Sequence, residues 1–170
     1  WKASFAVSKK TQGELKAVEA SFSNTKKPLQ KAVAVLTTLL KTPPERCNEA
    51  NVVCALTISA KTMTVDIEIT ESFRNSLLQT LDVLHELVLD ERLNARQLCN
   101  AVWAIGKHFN RIDDLLPAPP QRMALSSDSN RGMAESWSLQ VDEANPEKRL
   151  ESTVDMIADQ LAKMLTNRTK

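Results

Sequence analysis

The side chains best suited to catalysis, the two histidines, do not belong to a recognisable catalytic motif. His85 lies beside leucines in an apolar helical pattern, and His108 lies at the end of another, where the helix dipole favours a positive charge. Neither accompanies a serine or cysteine nucleophile motif, and three scattered glycines do not form a phosphate-binding loop. We therefore predict structural or surface histidines in a protein that is not an enzyme and has no small-molecule substrate.

Metal-ligand spacing is equally absent from the sequence. Cys47, Cys54 and Cys99 are odd in number and lack the CxxC or histidine spacing of a zinc site. Asp113 and Asp114 are adjacent but have no glycine-bearing calcium loop around them. We predict no metal and no cofactor, and we interpret the cysteines as small core residues in a reducing compartment.

Basic side chains are the remaining groups with a clear chemical use, and they are unevenly distributed. Residues 1–46 contain nine Lys and Arg against three acids, whereas residues 47–116 contain six against ten, although the whole chain has a net charge of +1. A basic amino-terminal quarter favours contact with polyanions. The alternative is an ordinary solvated helical face, because lysine is the usual solubilising residue.

The stretch 94–109 indicates the fold class most clearly. Asn94 and Gln97 have the spacing of a capping box, in which each side chain satisfies a free backbone donor of the first helical turn. Apolar residues then recur at helical spacing, at Leu98, Ala101, Val102, Ile105 and Phe109. Only three glycines and no tyrosine occur in 170 residues, and no apolar run is long enough to span a membrane. The sequence predicts an all-α protein without a membrane span.

This helix has an earlier counterpart. Residues 48–61 align with residues 94–107 without a gap, and the apolar positions of residues 35–40 align with those of residues 83–88. A repeat of two helices with a period in the forties is typical of an α-solenoid, in which each hairpin buries its face on the next. Chance similarity between two amphipathic helices is the alternative.

The chain divides into four predicted segments. Residues 1–27 are a basic lead-in with a helix at 11–22, and residues 28–116 are two helical-hairpin repeats. Within the repeats, an extended connector includes Val65, Ile67 and Ile69, and the helix that follows is capped at Thr70 or Ser72. Residues 117–145 are a flexible polar insert, and residues 146–170 are the helix of a third, incomplete repeat. The predicted fold is a short α-solenoid of stacked antiparallel hairpins with a disordered insert. Its continuous buried layer comprises Leu36, Leu40, Leu56, Leu84, Leu87, Leu98, Val102 and Ile105.

Residues 97–107, read as QLCNAVWAIGK, resemble a helix of octotricopeptide repeats, whose recurring pattern is close to ELANTLWALAK, and are similar to helices of organellar proteins with a RAP domain. Leu98, Asn100, Trp103, Ala104 and Lys107 agree with that pattern. Residues 48–61 have Thr57 where the tryptophan is typical, the PPPEW-like element is missing after Lys107, and no RAP domain follows. We interpret Trp103 as a core aromatic residue.

The resemblance implies a soluble or complex-bound protein of chloroplasts or mitochondria that acts in RNA maturation, translation or ribosome assembly. Phosphate contacts would come from Lys and Arg, with Lys61 and Lys107 in register one repeat apart. The candidate RNA-binding residues are Lys26, Lys27, Lys31, Lys41, Arg46, Lys61, Arg92, Arg96 and Lys107. The alternative is a structural, protein-binding subunit of a large organellar complex that does not read RNA.

Residues 121–145 provide the first testable prediction. Their apolar side chains are too few to offset the conformational entropy that ordering costs. We expect the amides of this stretch to exchange with solvent rapidly, apart from local protection around Trp137. Uniform protection across residues 121–145 in a hydrogen-exchange experiment would contradict the prediction.

Overall fold

The computed structural model describes residues 3–22, 27–63, 69–109 and 146–166, and every regular element in these ranges is helical. The predicted all-α class is therefore confirmed for this part of the chain. The insert predicted at 117–145, most of the connector before Ile69, and Lys26 lie outside it. The helices are α1 (Phe5–Ser21), α2 (Pro28–Lys41), α3 (Glu49–Thr62), α4 (Glu71–Leu89), α5 (Ala95–Phe109) and α6 (Pro146–Thr166), with a short 3-10 helix at Pro44–Arg46.

The predicted helix starts are confirmed by their capping hydrogen bonds. The Gln97 Oε1 atom accepts from the backbone N–H of Asn94 at 2.8 Å, and Asn94 Oδ1 accepts from the N–H of Gln97 at 3.0 Å. Asn48 and Asn51 form the same reciprocal box at the start of α3. Thr70 caps α4. Capping side chains therefore determine where α3, α4 and α5 begin, as the sequence pattern indicates.

Helix α3 lies at the centre of the fold. It packs against α1, α2, α4 and α5. A helix surrounded in this way must present buried residues on most of its circumference, and small or apolar side chains meet that requirement. The buried residues of α3 are Asn51, Val52, Val53, Ala55, Leu56, Ile58, Ser59, Ala60 and Thr62.

Helices α1 and α3 run in the same direction. Near their starts, the Ser8 hydroxyl lies 2.9 Å from Asn51 Oδ1, and Asn51 Nδ2 donates to the Ser8 carbonyl at 2.9 Å. One turn further along both helices, Gln12 hydrogen-bonds to Cys54. Helix α1 is longer than the predicted helix at 11–22, because Ser8 and the residues around it extend it toward these polar contacts.

Helices α3 and α5 are also parallel. Their amino ends meet where Arg92, just before α5, contacts Glu49 at 3.2 Å. Their carboxyl ends meet where Ser59 Oγ lies 3.2 Å from His108 Nε2. Because contacts join like ends, α1, α3 and α5 form a layer of three parallel helices with α3 in the middle.

The remaining helices form a second layer. Helix α2 contacts α1, α3 and α4, while α4 contacts α6, which also touches α5. His85 Nδ1 lies 2.8 Å from Thr153 Oγ1, and Gln160 Nε2 donates to the Val88 carbonyl, so polar contacts join α4 to α6. Ile157 of α6 is fully buried. The side chains of Leu150 and Leu165 in the same helix lie outside the described part.

The predicted buried layer is confirmed at six of its eight positions. The prediction for Val102 is wrong, because its side chain is 37% exposed, and Leu40 is half-buried. Trp103 is 43% exposed, so its interpretation as a core aromatic is also wrong, and Cys99 is exposed rather than a core residue. The physical reason is the orientation of α5 about its own axis, which differs from the orientation that the sequence pattern predicts. Its buried face is built from Leu98, Ala101, Ala104, Ile105 and His108, which turns Val102 to the edge and Trp103 to solvent.

Truncation of the α5 core residue provides a test of this rotation. Leu98→Ala removes a fully buried side chain and is expected to lower the free energy of unfolding by about 2 to 5 kcal/mol. Val102→Ala is the matched control on the same helix, with an expected loss near the roughly 0.5 kcal/mol typical of surface positions. Chemical denaturation measures both. Equal losses would show that α5 is not rotated as described.

Candidate nucleic-acid interface

A groove of about 460 Å³ crosses the layer of α1, α3 and α5 on one face. Each of the three helices contributes side chains to it, and α5 contributes only its amino-terminal half. We call it the three-helix groove. It is lined by Gln12, Lys16, Glu19, Ala50, Val53, Cys54, Thr57, Ile58, Lys61, Asn94, Arg96, Gln97 and Asn100.

The three-helix groove has an excess of positive charge. Lys16, Lys61 and Arg96 line it, one from each helix, and all three are exposed. Glu19 is the acid in its lining, and its carboxylate lies 3.6 Å from the Lys31 ammonium group. A concave surface with this charge concentrates anions near it.

The same excess extends over the whole layer. Helices α1, α3 and α5 contain three acids, and each contacts a cation from outside the three helices: Glu14 contacts Arg46 at 2.7 Å, Glu19 contacts Lys31, and Glu49 contacts Arg92. Helix α5 has no acid at all. The exposed cations of the layer are thus not offset by its own acids; they are Lys9, Lys10, Lys16, Lys61, Arg96 and Lys107.

Amide side chains supply the hydrogen-bonding groups of the groove. Asn94 and Gln97 use their carbonyl oxygens in the α5 capping box, so that their amide nitrogens are the groups left for a ligand. Gln12 and Asn100 line the groove as well. Amide and guanidinium groups can each form two hydrogen bonds to the edge of one nucleobase, whereas lysine acts as a point charge.

The structure brings together only some of the cations predicted from the sequence. Lys61 and Arg96 share the three-helix groove, and Lys107 lies exposed in the last turn of α5, as Lys61 does in that of α3. Lys31, Arg46 and Arg92 form the ion pairs just described. These three are engaged by carboxylates, which weakens their case as phosphate contacts.

Two of the remaining predicted cations lie elsewhere. Lys27 is exposed at the start of α2. Lys41 lines a separate groove of about 510 Å³ between α2 and the start of α4, together with Leu29, Val33 and Thr70. Lys41 is therefore not part of the three-helix groove.

Lys16, Gln12 and Asn100 were not predicted as site residues. The helical spacing of Gln12, Lys16 and Glu19 places them on one side of α1, but nothing in the sequence shows that this side faces α3. That information comes from the parallel packing of α1. Asn51, a polar residue within an otherwise apolar part of α3, is a sequence signal that this helix has a polar neighbour.

The environment of the thiol in the groove disfavours the thiolate form. Burial raises the pKa of Cys54, and the Gln12 hydrogen bond and the Lys16 charge only partly oppose it. Burial also raises the pKa of Cys47. Both thiols stay protonated near neutral pH. Among the described residues, no group of three His, Cys, Asp or Glu side chains could bind a metal.

His108 is buried rather than charged at its helix end. Its side chain is 3% exposed, its ring centroid lies 5.9 Å from that of Phe73, and desolvation lowers its pKa to about 4. The expectation that the helix dipole favours a positive charge here is wrong, because the cost of burying the charge outweighs it. The structural role predicted for this histidine agrees with its position between α3, α4 and α5.

No family model matches the sequence, and neither the curated proteins nor the solved structures include a match. Among the described residues, no helix is long and apolar enough to cross a membrane.

The buried histidine predicts a loss of stability in mild acid. Its pKa is about 4 in the folded protein and 6.5 in the unfolded chain, so the unfolded state binds more protons between these values. The His108 contribution is complete above pH 6.5 and falls as the pH drops, by about 3 kcal/mol at pH 4. His108→Gln, a neutral polar control, should lack this component. Urea denaturation of both proteins over that pH range measures it, and parallel pH profiles would contradict a buried neutral histidine.

Proposed function

We propose that this chain is a non-catalytic helical-repeat protein that binds RNA through the three-helix groove. The observation that carries the proposal is the placement of Lys16, Lys61 and Arg96 from three parallel helices in one groove, where the neighbouring carboxylate is engaged by Lys31. RNA supplies closely spaced phosphates, which several convergent cations bind better than one does.

The packing of the helices supports a repeat. Residues 48–61 and 94–107, which align in sequence, correspond to α3 and α5, and these helices lie side by side in parallel. The helices before them, α2 and α4, also contact each other, and α6 contacts α4 in the second layer. A solenoid places equivalent helices of successive repeats side by side in this way, with α6 as the start of a third repeat.

The resemblance to octotricopeptide repeats supports an organellar role. The stretch that carries it, residues 97–107, lies entirely within α5, whose exposed side includes Lys107. On this proposal the protein contributes to RNA maturation, translation or ribosome assembly in chloroplasts or mitochondria. That location comes from the resemblance alone.

We propose that the contacts in the groove position the RNA backbone more than they read its sequence. Two of the three groove cations are lysines, which attract phosphate without distinguishing bases. Arg96 and the amides of Gln12 and Asn100 are the groups able to add base contacts. Affinity should therefore fall steeply with salt and vary only modestly with sequence.

A structural, protein-binding role is the second candidate, and exposed apolar residues favour it. Phe5 is 82% exposed at the start of α1, and Leu89 is 53% exposed at the end of α4. Apolar side chains of this size are common at protein interfaces. Docking through them would depend little on salt, which separates this role from RNA binding.

The test neutralises the groove and compares it with other surface charges. The combined variant Lys16→Gln, Lys61→Gln and Arg96→Gln should weaken binding of a short oligouridine and reduce the slope of log affinity against log salt by about 2, since three fewer phosphates are neutralised. The control combines Lys41→Gln, Lys148→Gln and Lys163→Gln, which removes the same charge from exposed residues outside the groove lining and outside α1, α3 and α5.

The measurement is fluorescence anisotropy over about 50 to 200 mM salt, with circular dichroism to confirm that both variants are folded. A slope that decreases for the groove variant and stays at the parent value for the control supports the proposal. Equal slopes for the parent and the groove variant would contradict it, as would the absence of RNA binding by the parent.

A further inference from the structure

One line of residues runs along the outer side of α5. Arg96, Asn100, Trp103 and Lys107 are spaced by four, three and four residues, which places them on one face of a helix with 3.6 residues per turn. All four are exposed, and Trp103 is 43% exposed. We call this set the α5 stripe.

The core does not account for the tryptophan. The buried face of α5 lies on the other side of the helix, and its members are Leu98, Ala101, Ala104, Ile105 and His108. A Cβ atom at Gly106 would meet nothing within 4 Å, so the position one turn beyond Trp103 is open as well. Trp103 therefore presents an aromatic ring to an accessible surface.

The charged side chains of α5 itself are all positive. Helix α5 contains no acid, and the stripe has Arg96 at one end and Lys107 at the other. At 1.5 Å per residue, these cations are about 16 Å apart along the axis, with Trp103 about 6 Å from Lys107. This length accommodates a few nucleotides.

The stripe continues from the three-helix groove. Arg96 and Asn100 belong to both, because they line the groove and begin the stripe. A strand that contacts Arg96 near the amino end of α5 can follow that helix toward Lys107, and Lys61 lies at the same end of the parallel helix α3. The next large side chain on that path is Trp103.

We propose that Trp103 stacks with an unpaired base of single-stranded RNA, while Arg96 and Lys107 contact phosphates on either side of it. This inference rests on the proposed RNA binding and adds its substrate class. Bases within a duplex already stack on both faces and are hidden from a side chain, whereas every unpaired base has a free π-face. A cation at each end favours a polyanion over an apolar protein surface.

The first test is substitution. Trp103→Leu should weaken binding of a short single-stranded oligouridine by about five- to 150-fold, the range for loss of one stacked base, and leave binding of a duplex unchanged. Trp103→Phe should restore part of the loss because it keeps an aromatic ring. Leu89→Ala, which removes another exposed apolar side chain, is the matched control and should match the parent.

The second test reads the ring itself. With Trp1→Phe and Trp137→Phe, Trp103 is the remaining tryptophan, and stacking should quench its fluorescence on addition of oligouridine. An oligomer of abasic sugar-phosphates should bind more weakly and leave the fluorescence unchanged.

The outcomes separate this inference from the proposed function. If the parent binds oligouridine with the expected salt slope but Trp103→Leu binds equally well and fluorescence is unaffected, stacking is wrong and groove binding stands. If Trp103→Leu weakens duplex and single strand alike, the ring does not select unpaired bases, and the inference fails. If the parent binds no RNA, both fail.

Discussion

The burial of α3 on almost all sides is the constraint on which the other helices depend. Four helices pack against it, and nine of its residues are buried, including the polar residues Asn51 and Ser59. A buried polar group must find a hydrogen-bond partner, which limits how a neighbouring helix can be placed. Asn51 finds Ser8 of α1, and Ser59 finds His108 of α5. These contacts lie at opposite ends of α3 and help to hold its two neighbours parallel to it.

Parallel packing has an electrostatic consequence. The acids of α1, α3 and α5 are engaged by Lys31, Arg46 and Arg92, which belong to the second layer and the connecting segments. Such pairs contribute little to stability where they are exposed, but they offset the negative charge of the layer. Lys16, Lys61 and Arg96 then line one groove together with a single acid, Glu19. The proposed RNA site is therefore a product of helix packing rather than of one basic segment.

The sequence predicts the helices much better than their rotation and grouping. Caps at Asn48, Thr70 and Asn94 and the proline at the start of α2 set boundaries by local chemistry, so they are readable without a structure. The buried side of α5 is the side that carries its small residues, Ala101 and Ala104. A hydrophobicity pattern gives more weight to large apolar residues such as Val102 and Trp103, and it therefore predicts burial of the side that is exposed. The three-helix groove involves Gln12, Lys16 and Asn100, which only tertiary packing brings near Lys61. Residue type alone also does not show that Lys31 and Arg46 pair with carboxylates, because Glu19 and Glu14 are distant from them in sequence.

Photochemical cross-linking of a short 4-thiouridine RNA to the whole protein, followed by peptide mass spectrometry, tests whether RNA lies along α1, α3 and α5. It reports the location of RNA without substitutions and without assuming which cations matter. Binding along the three-helix groove and the α5 stripe predicts cross-links in three separate peptides, from α1 around Lys16, from α3 around Lys61, and from α5 between Arg96 and Lys107. Unlabelled RNA should compete with all of them, and salt should reduce them. Cross-links concentrated on α4 and α6, or on the groove around Lys41 between α2 and α4, would contradict this prediction.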